Sequence, residues 1–325
     1  MENINLPLYS FFVVFMLSEK VDYDLILVSY GELSLKSRYV RRYFENMLVR
    51  NIKNVFRRHG LSCRVEREWG RIYVFTDNVS SGVDLLRRVF GVVSVSPAFR
   101  TVSSMDSVSK LAVGVSKKFL CGDMSFAVRV TRTGCHVFTS RDVAVRVGRD
   151  VAAVTGARVD LDRPDFELFI EVRDDVSFLF TEKIVCVGGL PVGTQGRVLV
   201  LVDSFYSILA AWYMMRRGCD VVFVVVDDSF LSCLDSFLSK WNMESKIISA
   251  NVSCRVDLYS MLDRFFLDEG CDAIVTGYSM YMHSDDVLSS IMLLKKHVGH
   301  LFLHPLICFD REMMDQKLRE IGVLV

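Results

Sequence analysis

Four short, mostly apolar runs behind residue 190, Val198–Val202, Val221–Val226, Lys246–Ile248 and Ala273–Thr276, alternate with helical segments at Ser207–Arg217, Leu231–Lys240 and Tyr259–Asp268. Runs that are apolar on both faces suit strands buried on both sides, and the helices between them supply the crossovers of a parallel sheet. This pattern constrains the back of the chain to an α/β fold. It begins after Gly188-Gly189-Leu190-Pro191-Val192-Gly193, whose glycines and proline mark a linker.

The front of the chain reads differently. Residues 23–29 form a strand-like run, followed by a turn at Tyr30-Gly31-Glu32 and a helix from Ser37 to Arg58. Val40, Tyr43, Phe44, Met47, Leu48, Ile52, Val55 and Phe56 recur at the 3.6-residue period, with Arg42, Arg50, Lys53 and Arg57 on the other side. Strand-like runs at Cys63–Glu66 and Arg71–Thr76 follow, then helices at 81–90 and 106–120, a strand at Ser125–Thr131 and a helix at Ser140–Ala153. Phe166–Val172 and Ser177–Glu182 read as a hairpin around Arg173-Asp174-Asp175. These are α+β patterns, so the fold class expected is mixed α+β in front and α/β behind.

The chain has 325 residues and no net charge, but the charge is unevenly placed. Residues 1–190 carry 27 Lys+Arg against 22 Asp+Glu; residues 191–325 carry 12 against 17. An anionic partner is therefore expected on the front half. Nine cysteines without a C-x-x-C pair argue against a disulfide framework or a zinc site and for a reducing cytoplasm. The apolar leader Leu6–Leu17 is too short to span a bilayer and lacks the basic flank of a signal peptide.

Tyr30-Gly31-Glu32-Leu33-Ser34-Leu35-Lys36, with Arg41-Arg42-Tyr43-Phe44-Glu45 and Asn51-Ile52, resembles the opening of the tRNA 4-thiouridine synthetases (tRNA sulfurtransferases). Further stretches resemble the same family in the same order. They are Ser125-Phe126-Ala127-Val128-Arg129 through Thr139-Ser140 to Pro164-Asp165, Phe180-Thr181-Glu182-Lys183 leading to Gly188–Thr194, and Ala273–Gly277 with Pro305-Leu306-Ile307. The resemblance covers about residues 23–325 and leaves 1–22 as an apolar leader; it implies a ferredoxin-like N-terminal domain at 23–80 and a THUMP RNA-binding domain at 81–187. It further implies a Rossmann-like PP-loop pyrophosphatase-type domain (adenine nucleotide alpha hydrolase-like) at 188–325. It also implies tRNA as partner and ATP as the activating nucleotide.

Candidate RNA contacts follow from the need for cations beside phosphates. The segment 36–58 holds eight basic residues and one acid. Lys36, Arg38, Arg42, Arg50, Lys53 and Arg57 are the contacts expected there. In the THUMP-like segment Arg129, Arg132 and Arg146 are expected to reach RNA, while Arg141 and Arg149 pair with neighbouring acids such as Asp142 and Asp150. Thr139 and Ser140 open a helix whose free amides can meet a phosphate.

The family's nucleotide loop is Ser-Gly-Gly-x-Asp-Ser, whose glycines let backbone amides close around pyrophosphate. Here the strand ending at Val202 runs into Asp203-Ser204-Phe205-Tyr206-Ser207, one residue short and without glycine. A carboxylate and two aromatic rings oppose ATP, so the loop is read as degenerate, with no catalytic residue, metal or cofactor expected. Tyr278 stands where the family has an acid, and Cys308 is expected to be a buried, inert thiol, with Cys254 the next thiol considered. The cluster His283, Asp285, Asp286 reads as a solvated turn, and Met214-Met215 as core packing.

The function expected is therefore tRNA binding by a catalytically silent, cytoplasmic, non-membrane relative of these enzymes. Two alternatives stand beside it. One is an active ATP-dependent sulfurtransferase in tRNA thiolation, completed by a partner subunit. The other is an interaction scaffold, with a homodimer or a protein partner on the C-terminal domain.

Overall fold

The computed structural model describes residues 21–31, 37–68, 70–250, 255–281 and 287–323. The leader run Leu6–Leu17, Lys36, Cys254 and the cluster His283, Asp285, Asp286 lie outside the described residues. The chain forms two compact units. One takes the chain up to Ser29 with Gly60–Asp84 and Ser94–Val185; the other takes Tyr30–His59, Leu85–Val93 and Cys186–Val325.

The first unit is built on one sheet. Its strands are β1 (Leu25–Tyr30), β2 (Arg64–Glu68), β3 (Arg71–Phe75), β4 (Val92–Val102), β5 (Ser125–Arg132), β6 (Arg158–Val159), β7 (Phe166–Val172), β8 (Val176–Phe180) and β9 (Ile184–Val185). They run in the order β2-β3-β1-β4-β8-β7-β5-β6, with β9 on β4. The hairpin β7–β8 forms where the alternation predicts it, and β5 lies parallel to β7. The central strand β4 carries no clear strand signal in the sequence, because Pro97 and two serines interrupt its apolar residues.

Two helices cover this sheet, α3 (Met105–Phe119) and α4 (Ser140–Thr155), after a short α2 at Val79–Leu86. Val108, Ala112 and Val115 of α3 and Val143, Val147 and Val151 of α4 are buried with Phe126, Leu168 and Ile170 of the sheet. Beneath the sheet's other strands, Glu171 is 5% exposed and is bracketed by Arg71 at 2.9 Å and Arg173 at 2.6 Å. This triad ties β3 to β7.

The second unit contains α1 (Arg38–Arg58) and a five-stranded sheet of β10 (Arg197–Val202), β11 (Asp220–Val225), β12 (Ile247–Ser249), β13 (Ala273–Val275) and β14 (Phe302–Leu303). The order is β12-β11-β10-β13-β14, and every pair is parallel, as the buried apolar runs require. The helices are α5 (Phe205–Arg216), α6 (Leu231–Lys240), α7 (Arg255–Asp268), α8 (Val287–His297) and α9 (Arg311–Ile321). Side chains alternate between two cores: Val198, Val200 and Val202 face one, Leu199 and Leu201 the other. No described helix is long and apolar enough to cross a membrane.

The Gly188–Gly193 segment is densely bonded. The Gly91 amide donates to the Gly188 carbonyl, the Gly188 amide donates to the Val92 carbonyl, Leu190 donates to the Arg216 carbonyl, and the amides of Gly193, Thr194 and Gln195 converge on the Gly218 carbonyl. It also holds α1, through Asn51 Nδ2 to Val192 O at 3.0 Å and Tyr43 Oη to Gly193 O at 3.2 Å. Gly189 has φ +80°, and a Cβ there would lie 2.1 Å from the Arg216 carbonyl oxygen. Gly189→Ala therefore combines a left-handed backbone with a collision against main chain, and should cost about 3 kcal/mol of stability in chemical denaturation. A wild-type midpoint in the variant would refute this account of the segment.

Candidate functional site

Serine 37 starts α1 by capping the Val40 amide, and the apolar stripe of Phe44, Leu48, Ile52, Val55 and Phe56 turns one side of the helix inward. The buried Glu45 lies in that stripe and accepts a 2.6 Å bond from Tyr30 Oη, so the helix's one acid is withdrawn from the outer face. What remains outward is basic. Arg38, Arg42, Arg50, Lys53 and Arg57 are all exposed, and at 100° per residue they fall within roughly a third of the circumference. Tyr39 lies on the same arc and is 85% exposed. An exposed aromatic ring among arginines has the chemistry to stack on an unpaired base, and the charge count overlooked this residue. Its signal was its place on the polar side of the helical period.

In the first unit the candidate cations are more constrained. Arg129 donates to Glu167 and to the Leu161 carbonyl, both at 2.8 Å. Arg146 reaches Asp150 at 2.6 Å and Asp106 at 3.3 Å, while Ser109 and Arg146 hold the Asp150 carboxyl down at about 2. Arg149 pairs with Asp150, as the sequence suggests. Arg132 is exposed at the end of β5 and donates to Gly134 O at 3.0 Å, with His136 Nδ1 3.4 Å away. His136 Nε2 lies 3.0 Å from the Asp174 carbonyl, which favours the tautomer with its proton on Nε2 and leaves Nδ1 to accept from Arg132.

Thr139 closes a reciprocal capping box with Asp142: its hydroxyl oxygen accepts from the Asp142 amide, and its own amide donates to the Asp142 carboxylate. Those bonds hold the Asp142 carboxyl below the usual range, the Thr139 amide first. Ser140 follows as the first helical residue. The Asp142 charge thus sits at the helix start where a phosphate was expected.

In the parallel sheet, the turn after β10 places Asp203 and Ser204 at the carboxyl end of the strands, the usual ligand end of such a sheet. The turn is bonded to itself. The Ser207 amide is engaged with the Ser204 carbonyl at 3.1 Å, and the Ser207 hydroxyl donates to Asp203 Oδ1 at 2.9 Å. Burial pushes the Asp203 carboxyl up, against the lowering effect of the Ser207, Ser204 and Tyr278 hydroxyls. Phe205 packs edge-on against Phe230, and Tyr206 donates to Asp315 at 2.8 Å. From β13 the backbone of Gly277 presses on the same turn: a Cβ there would lie 2.4 Å from the Ser207 nitrogen and 2.6 Å from the Tyr206 carbonyl carbon. The backbone of Gly277 and the Ser204–Ser207 bonds thus pack closely around a turn that has no glycine of its own.

Nearby, the Thr276 hydroxyl lies 2.7 Å from His304 Nδ1, and burial lowers the His304 pKa. Cys308 corrects the sequence expectation: it is exposed, because the turn after β14 buries Leu306 instead. Met215 is fully buried in the core, as expected.

Comparison with known proteins then bears on the whole chain. Residues 25–96 match the family model described as the ThiI ferredoxin-like domain, and residues 102–182 match the THUMP domain. A protein of Methanobrevibacter smithii named "Probable tRNA sulfurtransferase" is 34% identical over 93% of this chain and 87% of its own length. One of the same name from Methanothermobacter thermautotrophicus is 32% identical over 93% and 85%. Among solved structures, PH1313 from Pyrococcus horikoshii superposes with TM-score 0.80 at 28% identity, over 92% of this chain and 99% of that one. A 4-thiouridine synthetase–RNA complex with bound ATP has the same fold, with TM-score 0.78 at 24% identity over 93% and 86%.

Proposed function

Because this chain belongs to the tRNA sulfurtransferase family, we propose that it binds tRNA without carrying out the ATP-dependent activation step. The family supplies the partner: relatives are named for acting on tRNA, a THUMP domain is present, and one structure of this fold holds RNA. The basic outer arc of α1 supports the same reading, because phosphate neutralisation dominates RNA affinity. The observation that supports the silent half of the proposal is the glycine-free turn at Asp203–Ser207, where Gly277 packs on the Tyr206–Ser207 backbone and Asp203 accepts the Ser207 hydroxyl.

The full-length likeness to named sulfurtransferases favours a second reading, an active enzyme in tRNA thiolation, completed by a partner subunit. One purified sample separates the two. A tRNA transcript should shift in a gel at low salt, while Mg-ATP should leave the thermal midpoint of the protein unchanged. Absence of tRNA binding by the folded chain overturns the first half of the proposal. Transfer of label from ATP to tRNA overturns the second half.

A further inference from the structure

The second unit holds a cavity of about 390 Å³ between α1 and the turn after α6. Its wall includes Arg50, Arg58, Arg88, Asn51, Asn54 and Asn242. It also includes Asp220, the first residue of β11, so it opens at the amino ends of the parallel strands, away from the turn at Asp203. Ligands of such sheets ordinarily sit at the carboxyl ends, so this is a separate place with its own chemistry.

The cavity is cationic and incompletely satisfied. Arg50 contacts the Met47 sulfur, and Arg88 makes a 3.5 Å bond to the Lys240 carbonyl; among the described residues neither meets a carboxylate within ion-pair distance. Burial first, and the nearby Arg88 charge second, lower the Lys240 pKa. Of the two acids on the wall, Asp220 is engaged by Arg197 at 2.9 Å. Glu244 lies 3.6 Å from Arg58 with its side chain 75% exposed, a loose pairing. An independent feature is Asn242. It is 5% exposed, sits at φ +55°, and its Nδ2 has no partner, although a buried amide donor left without one costs stability.

Three arginines and an unpartnered amide donor on one concave wall call for an anion with several acceptor oxygens. Arg50 also stands at the edge of the exposed basic arc of α1, so a polyanion lying on that arc could continue into the cavity. We propose that this cavity binds a phosphate group, supplied either by a free phosphate-class anion or by one backbone phosphate of RNA. The RNA source rests on the tRNA-binding reading; the free-anion source does not.

The test uses the full chain and two variants, Arg88→Gln, which keeps the stem, and Asn242→Asp, which keeps the shape and tolerates the left-handed backbone. Thermal midpoints are read in inorganic phosphate against chloride at equal ionic strength, and tRNA affinity is read on the same proteins. Phosphate excluded from protein surfaces raises all midpoints slightly. Site binding raises that of the wild type by a few degrees more than those of the variants. If the variants also bind tRNA several-fold more weakly, the phosphate is that of RNA. If tRNA affinity is unchanged while the extra shift is lost, the ligand is a free anion. Equal phosphate shifts together with equal tRNA affinities in all three proteins overturn the proposal. Wild-type chain that binds no tRNA leaves the phosphate comparison decisive by itself.

Discussion

Replacing Arg42, Lys53 and Arg57 together by glutamine should weaken tRNA binding by roughly 30- to 100-fold near physiological salt, and flatten its salt dependence by about two to three units on a log–log plot. The reasoning is electrostatic. Each of the three side chains is exposed on the outer arc of α1, and no ion pair to a described residue holds any of them back. A cation that neutralises a phosphate releases a condensed counterion, so losing three such contacts lowers both the affinity and its salt slope. Because the apolar stripe of α1 is untouched, circular dichroism and the thermal midpoint should stay at wild-type values. A triple variant that binds with unchanged affinity and unchanged slope would place RNA elsewhere. One that loses affinity with no change in slope would point to altered shape.

Arg71→Met should lower the stability of the first unit by about 3–5 kcal/mol, equivalent to roughly 10 °C in thermal midpoint for a unit of this size. Arg71 and Arg173 hold Glu171 from two sides, with side-chain exposures of 24%, 14% and 6% respectively. Removing one arginine leaves a buried carboxylate partly unmatched, which is the costly way to break such a group.

The pH dependence follows from the same geometry. Burial raises the Glu171 carboxyl, but the hydrogen bonds and charges of Arg71 and Arg173 outweigh it, and the net pKa is lowered. A lowered folded-state pKa adds stability that is complete above the unfolded value near 4.3 and disappears as pH falls through the folded value. The gap between wild type and Arg71→Met should therefore be full at pH 7 and narrow below about pH 4. A gap that stays constant down to pH 3 would mean that packing, not charge, is what Arg71 contributes.

Much of the architecture could be read from residue patterns, because those patterns are local consequences of burial. Val198–Val202 and its companions are apolar at nearly every position, and they became the strands of a parallel sheet enclosed by helices. The α1 helix was legible from its apolar period, which placed it at Ser37–Arg58; the structure has Arg38–Arg58 with Ser37 as its cap. By contrast, β4 escaped notice, since Pro97, Ser94 and Ser96 break its apolar alternation and its place between β1 and β8 is set by pairing partners far off in sequence. The candidate site was legible only as a distribution of charge along the chain. Charge counts picked the basic residues of α1, yet Arg129 and Arg146 turned out to hold carboxylates of their own unit. Tyr39, Arg88 and Asn242 gave no composition signal.

What the sequence determined by itself was the order of apolar and polar positions, hence the element types, the parallel sheet and the glycine-free turn at Asp203–Ser207. Tertiary structure alone decided which charges remain available. Glu171 lies a hundred positions from Arg71 and meets it only through sheet pairing, Gly277 reaches Tyr206 only because β13 lies beside β10, and Arg88 joins Arg50 and Asn242 only after folding. Charge pairing and steric exclusion act over a few ångströms in space, so their outcome depends on distances that sequence separation does not encode.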